Sequence, residues 1–164
     1  MQAISKVIAT EFTKPSGTTG YSANDVLNTS TTVAVQLKWL AAASKSSGSG
    51  LIVGAEVIGS VQSEVWQPKL HIYNAARATV LQDNAAFTAT YAIVGTTNVL
   101  ITDITLPALS AYGVVSKSRI DGLSIPYQCA IDEILYFDLQ TLTAIATSGD
   151  SAKYTVKLYV IQDV

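Results

Sequence analysis

The chain has 164 residues, enough for one domain with a sizeable core that needs no disulfide or metal to hold it. Its hydrophobic fraction of 49% is ordinary, but only 13% of residues are charged and the net charge is −2; a typical soluble domain carries roughly 25% charged residues. Ten basic residues without a cluster exclude a phosphate-tracking stripe or a polybasic membrane patch, and a single cysteine, Cys129, excludes an intrachain disulfide.

The opening Met1-Gln2-Ala3-Ile4-Ser5-Lys6 lacks the charged start and apolar stretch of a signal peptide. No apolar run reaches the ~18 residues of a membrane helix. The expectation is a protein made in the cytoplasm and not exported by a cleavable signal. Ile4 to Phe12 reads as a first strand, and Lys14 to Gly20 as a turn. From Thr32 to Trp39 apolar and polar residues take turns, which predicts a half-buried strand with Val33, Val35, Leu37 and Trp39 inward. Ser44 to Gly50 is a strand-connecting loop, too short for a domain linker. Leu51 to Val65 is β-rich with Gly54 and Gly59 inside it, so it is one bent strand or two.

Lys69 to Tyr73 predicts a strand with Leu70 and Ile72 inward. Asn84 to Ala92 is a candidate for a turn or two of helix. Asn98 to Leu106 is dense in β-formers. Gln128 to Leu139 reads as strand interrupted by Asp132-Glu133, with a short helix over Ile131 to Asp138 as the alternative. Ser148 to Ser151 is a turn. Lys153 to Val160 alternates cleanly, with Tyr154, Val156, Leu158 and Val160 inward. Seven to nine strands on short turns, without repeats or an internal boundary, predict an all-β fold: a single antiparallel β-sandwich over residues 1–164, jelly-roll-like.

The residues that could carry chemistry are few. His71 is the one histidine, so no His-rich metal site forms, and no serine or cysteine context around it suggests a nucleophile. It reads as a strand-face histidine. Asp132 and Glu133 point to opposite faces of a strand and make a poor acid/base couple. Glu56 and Glu64 are the remaining carboxylates from which a glycosidase pair could be assembled across strands. Asp83-Asn84 reads as a turn whose side chains cap nearby N–H groups. Cys129, in the apolar run Ile125 to Ile134, reads as a buried thiol. Among Trp39, Trp66, Tyr73, Tyr112, Tyr127, Tyr136 and Tyr159, Trp66 is the candidate for an exposed sugar platform; its bland reading is an aromatic packed against a sheet edge. Neither catalytic residues nor a metal or other cofactor are expected.

A mean hydropathy of +0.34 with so few charges leaves a surface that resists self-association poorly. It predicts an oligomer or assembly component over a monomer with a large core.

Three segments carry a resemblance. Ser16 to Asn28 contains Tyr21 followed closely by Asp25-Val26. Leu70-His71-Ile72-Tyr73-Asn74 is an apolar strand ending in Tyr-Asn. Asp83-Asn84-Ala85-Ala86-Phe87 is a turn. In that order the pieces resemble a family of tailed-bacteriophage virion structural proteins, the capsid decoration (cement) type. The likeness spans Ser16 to Asn28 and Leu51 to Leu106, and does not extend past Tyr112. Family members often carry prolines after the Tyr-Asn, where this chain has Ala75-Ala76-Arg77-Ala78. The resemblance implies a jelly-roll subunit on the outside of an icosahedral head, a homotrimer that clamps the major capsid protein. The expected place is the virion surface. The alternative is a carbohydrate- or receptor-binding β-sandwich module of a fibre or tail.

Overall fold

The computed structural model describes residues 3–17, 20–33, 35–45, 47–77, 79–88, 100–130, 132–146 and 149–163. Among them there are ten strands and no helix: β1 (Ala3–Thr13), β2 (Val26–Leu27), β3 (Leu37–Trp39), β4 (Ser49–Gly59), β5 (Pro68–Tyr73), β6 (Leu100–Thr105), β7 (Ser110–Tyr112), β8 (Val115–Gln128), β9 (Leu135–Thr141) and β10 (Lys153–Asp163). One sheet has the order β1-β10-β4-β8-β7, the other β2-β9-β5-β6, with β3 also on β9. Every pairing is antiparallel and the pairs nest: β1 with β10, β2 and β3 with β9, β4 with β8, β5 with β6. A long hairpin rolled onto itself produces this nesting, which is the jelly roll.

The inner faces follow the two-residue period. On β10, Tyr154, Val156, Leu158 and Val160 are all fully buried, as the alternation predicts. They meet Leu70 and Ile72 of β5 and Phe137 and Leu139 of β9 in one core cluster drawn from both sheets. Trp39 bridges the layers: its ring stacks on Phe137 at 4.0 Å, and its Nε1–H donates to the Val156 carbonyl at 2.9 Å.

Several expectations need correction. The alternating run from Thr32 forms strand only over Leu37–Trp39, where Leu37, Lys38 and Trp39 pair with Phe137, Tyr136 and Leu135. Val33 and Val35 are exposed, because among the described residues no partner strand lies along them to bury them. The candidate helix over Ile131 to Asp138 is instead a bend at Asp132 and Glu133 leading into β9, with Glu133 in the left-handed region at φ 59°. Asp132 and Glu133 therefore do not sit on opposite strand faces. The candidate turn of helix at Asn84 begins as a turn and a bridge to Asp25, and its end past residue 88 lies outside the described residues, as do the first residues of the strand expected from Asn98.

Leu51 to Val65 holds one strand, not two. β4 is continuous, with Val53 as the extra residue between Tyr159↔Gly54 and Val160↔Ile52 of its β10 pairing. Opposite β8, Val53 faces Gly122, Leu123 and Ser124, between Gly54↔Asp121 and Ile52↔Ile125. Gly122 takes up that bulge at φ +75°, a conformation glycine adopts without a steric penalty.

Candidate functional site

The three segments that carry the resemblance are far apart in sequence and interlock in space. Tyr21 is tied to Ile145 by reciprocal backbone hydrogen bonds of 3.0 Å, which fixes where its side chain starts. Its hydroxyl donates to both carboxylate oxygens of buried Asp83, at 3.1 and 2.9 Å. Asp83 Oδ1 also accepts from the Asn28 amide at 2.8 Å. Backbone bonds then zip the two chains together: Val26 N–H to the Ala85 carbonyl, Asn84 N–H to that of Val26, and Phe87 N–H to that of Asn24. Asn24 and Asn84 sit at φ 73° and 59°, which asparagine tolerates better than most residues.

This unit reaches the outer face of β5 and buries it. His71 points away from the core, as its phase requires, yet is only 1% exposed. Phe87 lies flat on it, with ring centroids 4.0 Å apart and planes 10° apart. His71 Nδ1 is 2.6 Å from Asp103 Oδ1 on β6, and Asp103 also pairs with Lys69 at 3.0 Å. His71 Nε2 is 2.8 Å from Gln140 Oε1 on β9, whose amide nitrogen donates to Asn24 Oδ1 at 3.2 Å. Beside this row the Arg77 guanidinium lies over the rings of Tyr73 and Phe87 and pairs with buried Asp138. Both ring nitrogens of His71 are engaged by neighbouring side chains, and its stacked face is covered. The arrangement fastens residues 74–77 and 79–88 to the sheet and leaves neither nitrogen turned to solvent to meet a substrate.

Glu56 and Glu64 are not brought together. Glu56 is on the outer face of the first sheet, 2% exposed, with Lys117 Nζ 2.6 Å from Oε1 and Lys157 Nζ 3.1 Å from Oε2. The Tyr159 hydroxyl donates to Oε2 at 3.0 Å. Burial pushes the Glu56 carboxyl up, but Lys117, Lys157 and Tyr159 outweigh it, and its pKa lies below the ordinary 4.5. Glu64 lies in the interior beyond the end of β4. It accepts from the Tyr154 hydroxyl at 2.9 Å and from Trp66 Nε1–H at 3.3 Å. Here burial wins over those bonds and the Lys14 charge, so the Glu64 pKa is raised. Two carboxyls on opposite sides of a sheet cannot flank one glycosidic bond.

Trp66 is fully buried, edge-on to Tyr154 at 6.0 Å, and is a core residue; it is no exposed platform. Trp39, Tyr73 and Tyr127 are buried too, Tyr136 and Tyr159 are half-buried, and of the seven aromatic candidates Tyr112 alone is mostly exposed. Cys129 is buried, and its thiol pKa is pushed up to about 12 by burial and by the charges of Asp132 and Glu133. Among the described residues no group of three or more His, Cys, Asp or Glu side chains is arranged to hold a metal ion.

The β7–β8 hairpin was not legible as an element. Its signal is Gly113 between Tyr112 and Val114, a glycine where a two-residue hairpin turn needs positive φ. Arg77 and Asp138, whose ion pair helps hold the segment around Arg77 in place, carry no sequence signal, because their partnership spans 61 positions. No protein-family model matches this chain, and no curated protein matches it.

Proposed function

We propose that this protein is a capsid decoration (cement) protein of a tailed bacteriophage, bound to the outside of the head. The observation that carries the reading is the convergence of its three characteristic segments. Tyr21, Asp25-Val26 and Asp83 to Phe87 form one hydrogen-bonded unit, and Phe87 stacks it on His71 of the Leu70 to Asn74 segment in the second sheet. Segments this far apart in sequence that contact one another share one set of packing constraints, which supports treating them as a single motif. The jelly roll supports the reading too, because that architecture recurs in viral capsid domains as well as in lectins, although fold alone does not supply function.

The work of such a protein is interface area. A homotrimer seated on the major capsid protein bridges shell subunits, and many weak sites on one lattice reinforce each other through avidity. A charge-poor surface suits this, since the centres of interfaces are depleted in charged residues. The carbohydrate-binding alternative rested on Trp66, which is in the core.

The test is to add the purified protein to heads that lack it. Saturable binding, with heads that then withstand heating better before releasing DNA, supports the proposal. Heads that neither bind the protein nor gain heat resistance overturn it.

A further inference from the structure

We propose that His71 is the proton-sensitive member of a closed circuit of contacts that clasps the turn carrying Phe87 to the second sheet. The circuit has four members. His71 Nε2 is 2.8 Å from Gln140 Oε1. The Gln140 amide nitrogen donates to Asn24 Oδ1 at 3.2 Å. The Asn24 carbonyl accepts from the Phe87 N–H at 2.7 Å. The Phe87 ring closes the circuit by stacking on the imidazole, centroid to centroid 4.0 Å. His71 comes from β5, Gln140 from β9, and the other two from the segments that interlock above them. The clasp does not depend on what the protein binds.

Donors and acceptors in the circuit have to match. A neutral imidazole has one donor nitrogen and one acceptor nitrogen, whereas an imidazolium has two donors. His71 Nδ1 is 2.6 Å from Asp103 Oδ1. An ionised carboxylate only accepts, so Nδ1 carries a hydrogen. Nε2 faces the amide oxygen of Gln140, which also only accepts, so in this arrangement Nε2 carries a hydrogen too. The clasp as it stands is therefore the imidazolium form. Loss of the Nε2 proton makes that atom an acceptor, and Gln140 must rotate its amide to present N–H. Its oxygen then meets Asn24 Oδ1, and the exposed Asn24 side chain must turn as well. One proton thus sets the direction of two amides. The number of bonds is unchanged, but charge-assisted hydrogen bonds are roughly twice as strong as neutral ones.

The charged groups around His71 are already committed. In register His71 lies opposite Asp103 on β6 and Asp138 on β9. Lys69 on β5 pairs with Asp103 at 3.0 Å, and Arg77 pairs with Asp138 while lying over the Phe87 ring. In the interlocked unit above, Asp25 accepts from the Ser22 N–H, and Asp83 from the Tyr21 hydroxyl and the Asn28 N–H. Ionised carboxylates only accept, and lysine and arginine only donate. An amide can present either end, so Gln140 is built to answer a change at Nε2 and Asn24 to pass it on.

The experiment is nitrogen-15 and proton NMR on the full chain between about pH 4.5 and 9. His71 is the one histidine, so its side-chain signals identify themselves. Both ring nitrogens are expected to carry hydrogens at the acid end, and Nδ1 alone at the alkaline end. The side-chain amide signals of Gln140 and Asn24 are expected to move with the same midpoint. Hydrogen exchange at residues 79–88, corrected for its intrinsic pH dependence and compared with β10, should show about fivefold easier opening above that midpoint. Gln140→Glu offers only acceptors to Nε2–H and should raise the midpoint by about 1–3 pH units. Asn24→Asp holds the Gln140 oxygen toward His71 without touching the imidazole, and should raise it in the same direction. Aspartate tolerates the left-handed backbone at φ 73°. A histidine that keeps one protonation state throughout overturns the proposal. So does a titration that leaves both amide signals unmoved, or a folded Asn24→Asp variant with the wild-type midpoint. The wild-type titration decides the matter even where a substitution unfolds the chain.

Discussion

Phe87 covers the ring of His71 in a near-parallel stack, and that contact joins a turn to a strand of the second sheet. The turn is otherwise held by backbone bonds to residues 24–28 and by Asp83. Aromatic pairs contribute about 0.5–1.5 kcal/mol beyond the area they bury. Phe87→Ala is therefore expected to cost about 1–3 kcal/mol. Hydrogen exchange should speed up at residues 74–88 and stay unchanged on β10. Uniform exchange across both regions would show that the stack does not fasten the turn.

Glu64 makes stability depend on pH in an unusual direction. Its folded pKa is raised above 4.5, chiefly by burial, so the folded state keeps a proton that the unfolded chain has released. Where the native state binds more protons, stability falls as pH rises. Its contribution is fullest below 4.5 and declines as pH climbs through the folded value. Glu64→Gln keeps an acceptor for the Tyr154 hydroxyl and removes the titration. In denaturant melts between about pH 4.5 and 7, the variant should gain on wild type as pH rises. A difference that is constant with pH refutes this role for Glu64.

Glu56 works the opposite way. Its folded pKa is lowered by Lys117, Lys157 and Tyr159 against the pull of burial. It contributes stability above 4.5 that is lost as pH falls through the folded value. Glu56→Gln is expected to cost about 1–3 kcal/mol at neutral pH, between an exposed pair and a buried one. The deficit should shrink in acid. Chemical denaturation at neutral pH and near pH 3 checks it; an equal deficit at both shows that packing, not charge, explains the loss.

The sequence shows most where a strand has one wet face and one dry face. β10 is such a strand, and its inward set was legible residue by residue. Alternation fails at Val33 and Val35 because it reports a period and not whether a partner strand is present. Two features hide β8 in the sequence. Its inner face opens with Ser116 and Ser118, both buried, and its phase switches at the Gly122 bulge, so that Leu123, Ile125 and Tyr127 turn inward after it. The strand period puts His71 on the outer face, where the structure has it, but its burial depends on a covering turn that strand periodicity does not describe. Trp66 lies on no strand, so no period constrained it. The interlocked segments were visible as an order of short pieces, while the Tyr21–Asp83 bond that joins them spans 62 positions.

Trp39 offers the sharpest test of how the two sheets are held together. Its ring stacks on Phe137 of the second sheet, and its one polar atom reaches the Val156 carbonyl of the first. Trp39→Phe keeps most of the ring, deletes the donor and leaves a small void. Val156 is paired in register with Thr10 and Val57, so its carbonyl keeps a ladder partner and the lost bond costs about 0.5–1.5 kcal/mol. Trp39→Ala removes the stack as well and should cost about 3–5 kcal/mol. The two variants separate the hydrogen bond from the packing in a single series of equilibrium unfolding curves. If Trp39→Phe is as stable as wild type, the bond to Val156 contributes nothing, and the sheets are joined by apolar contact alone.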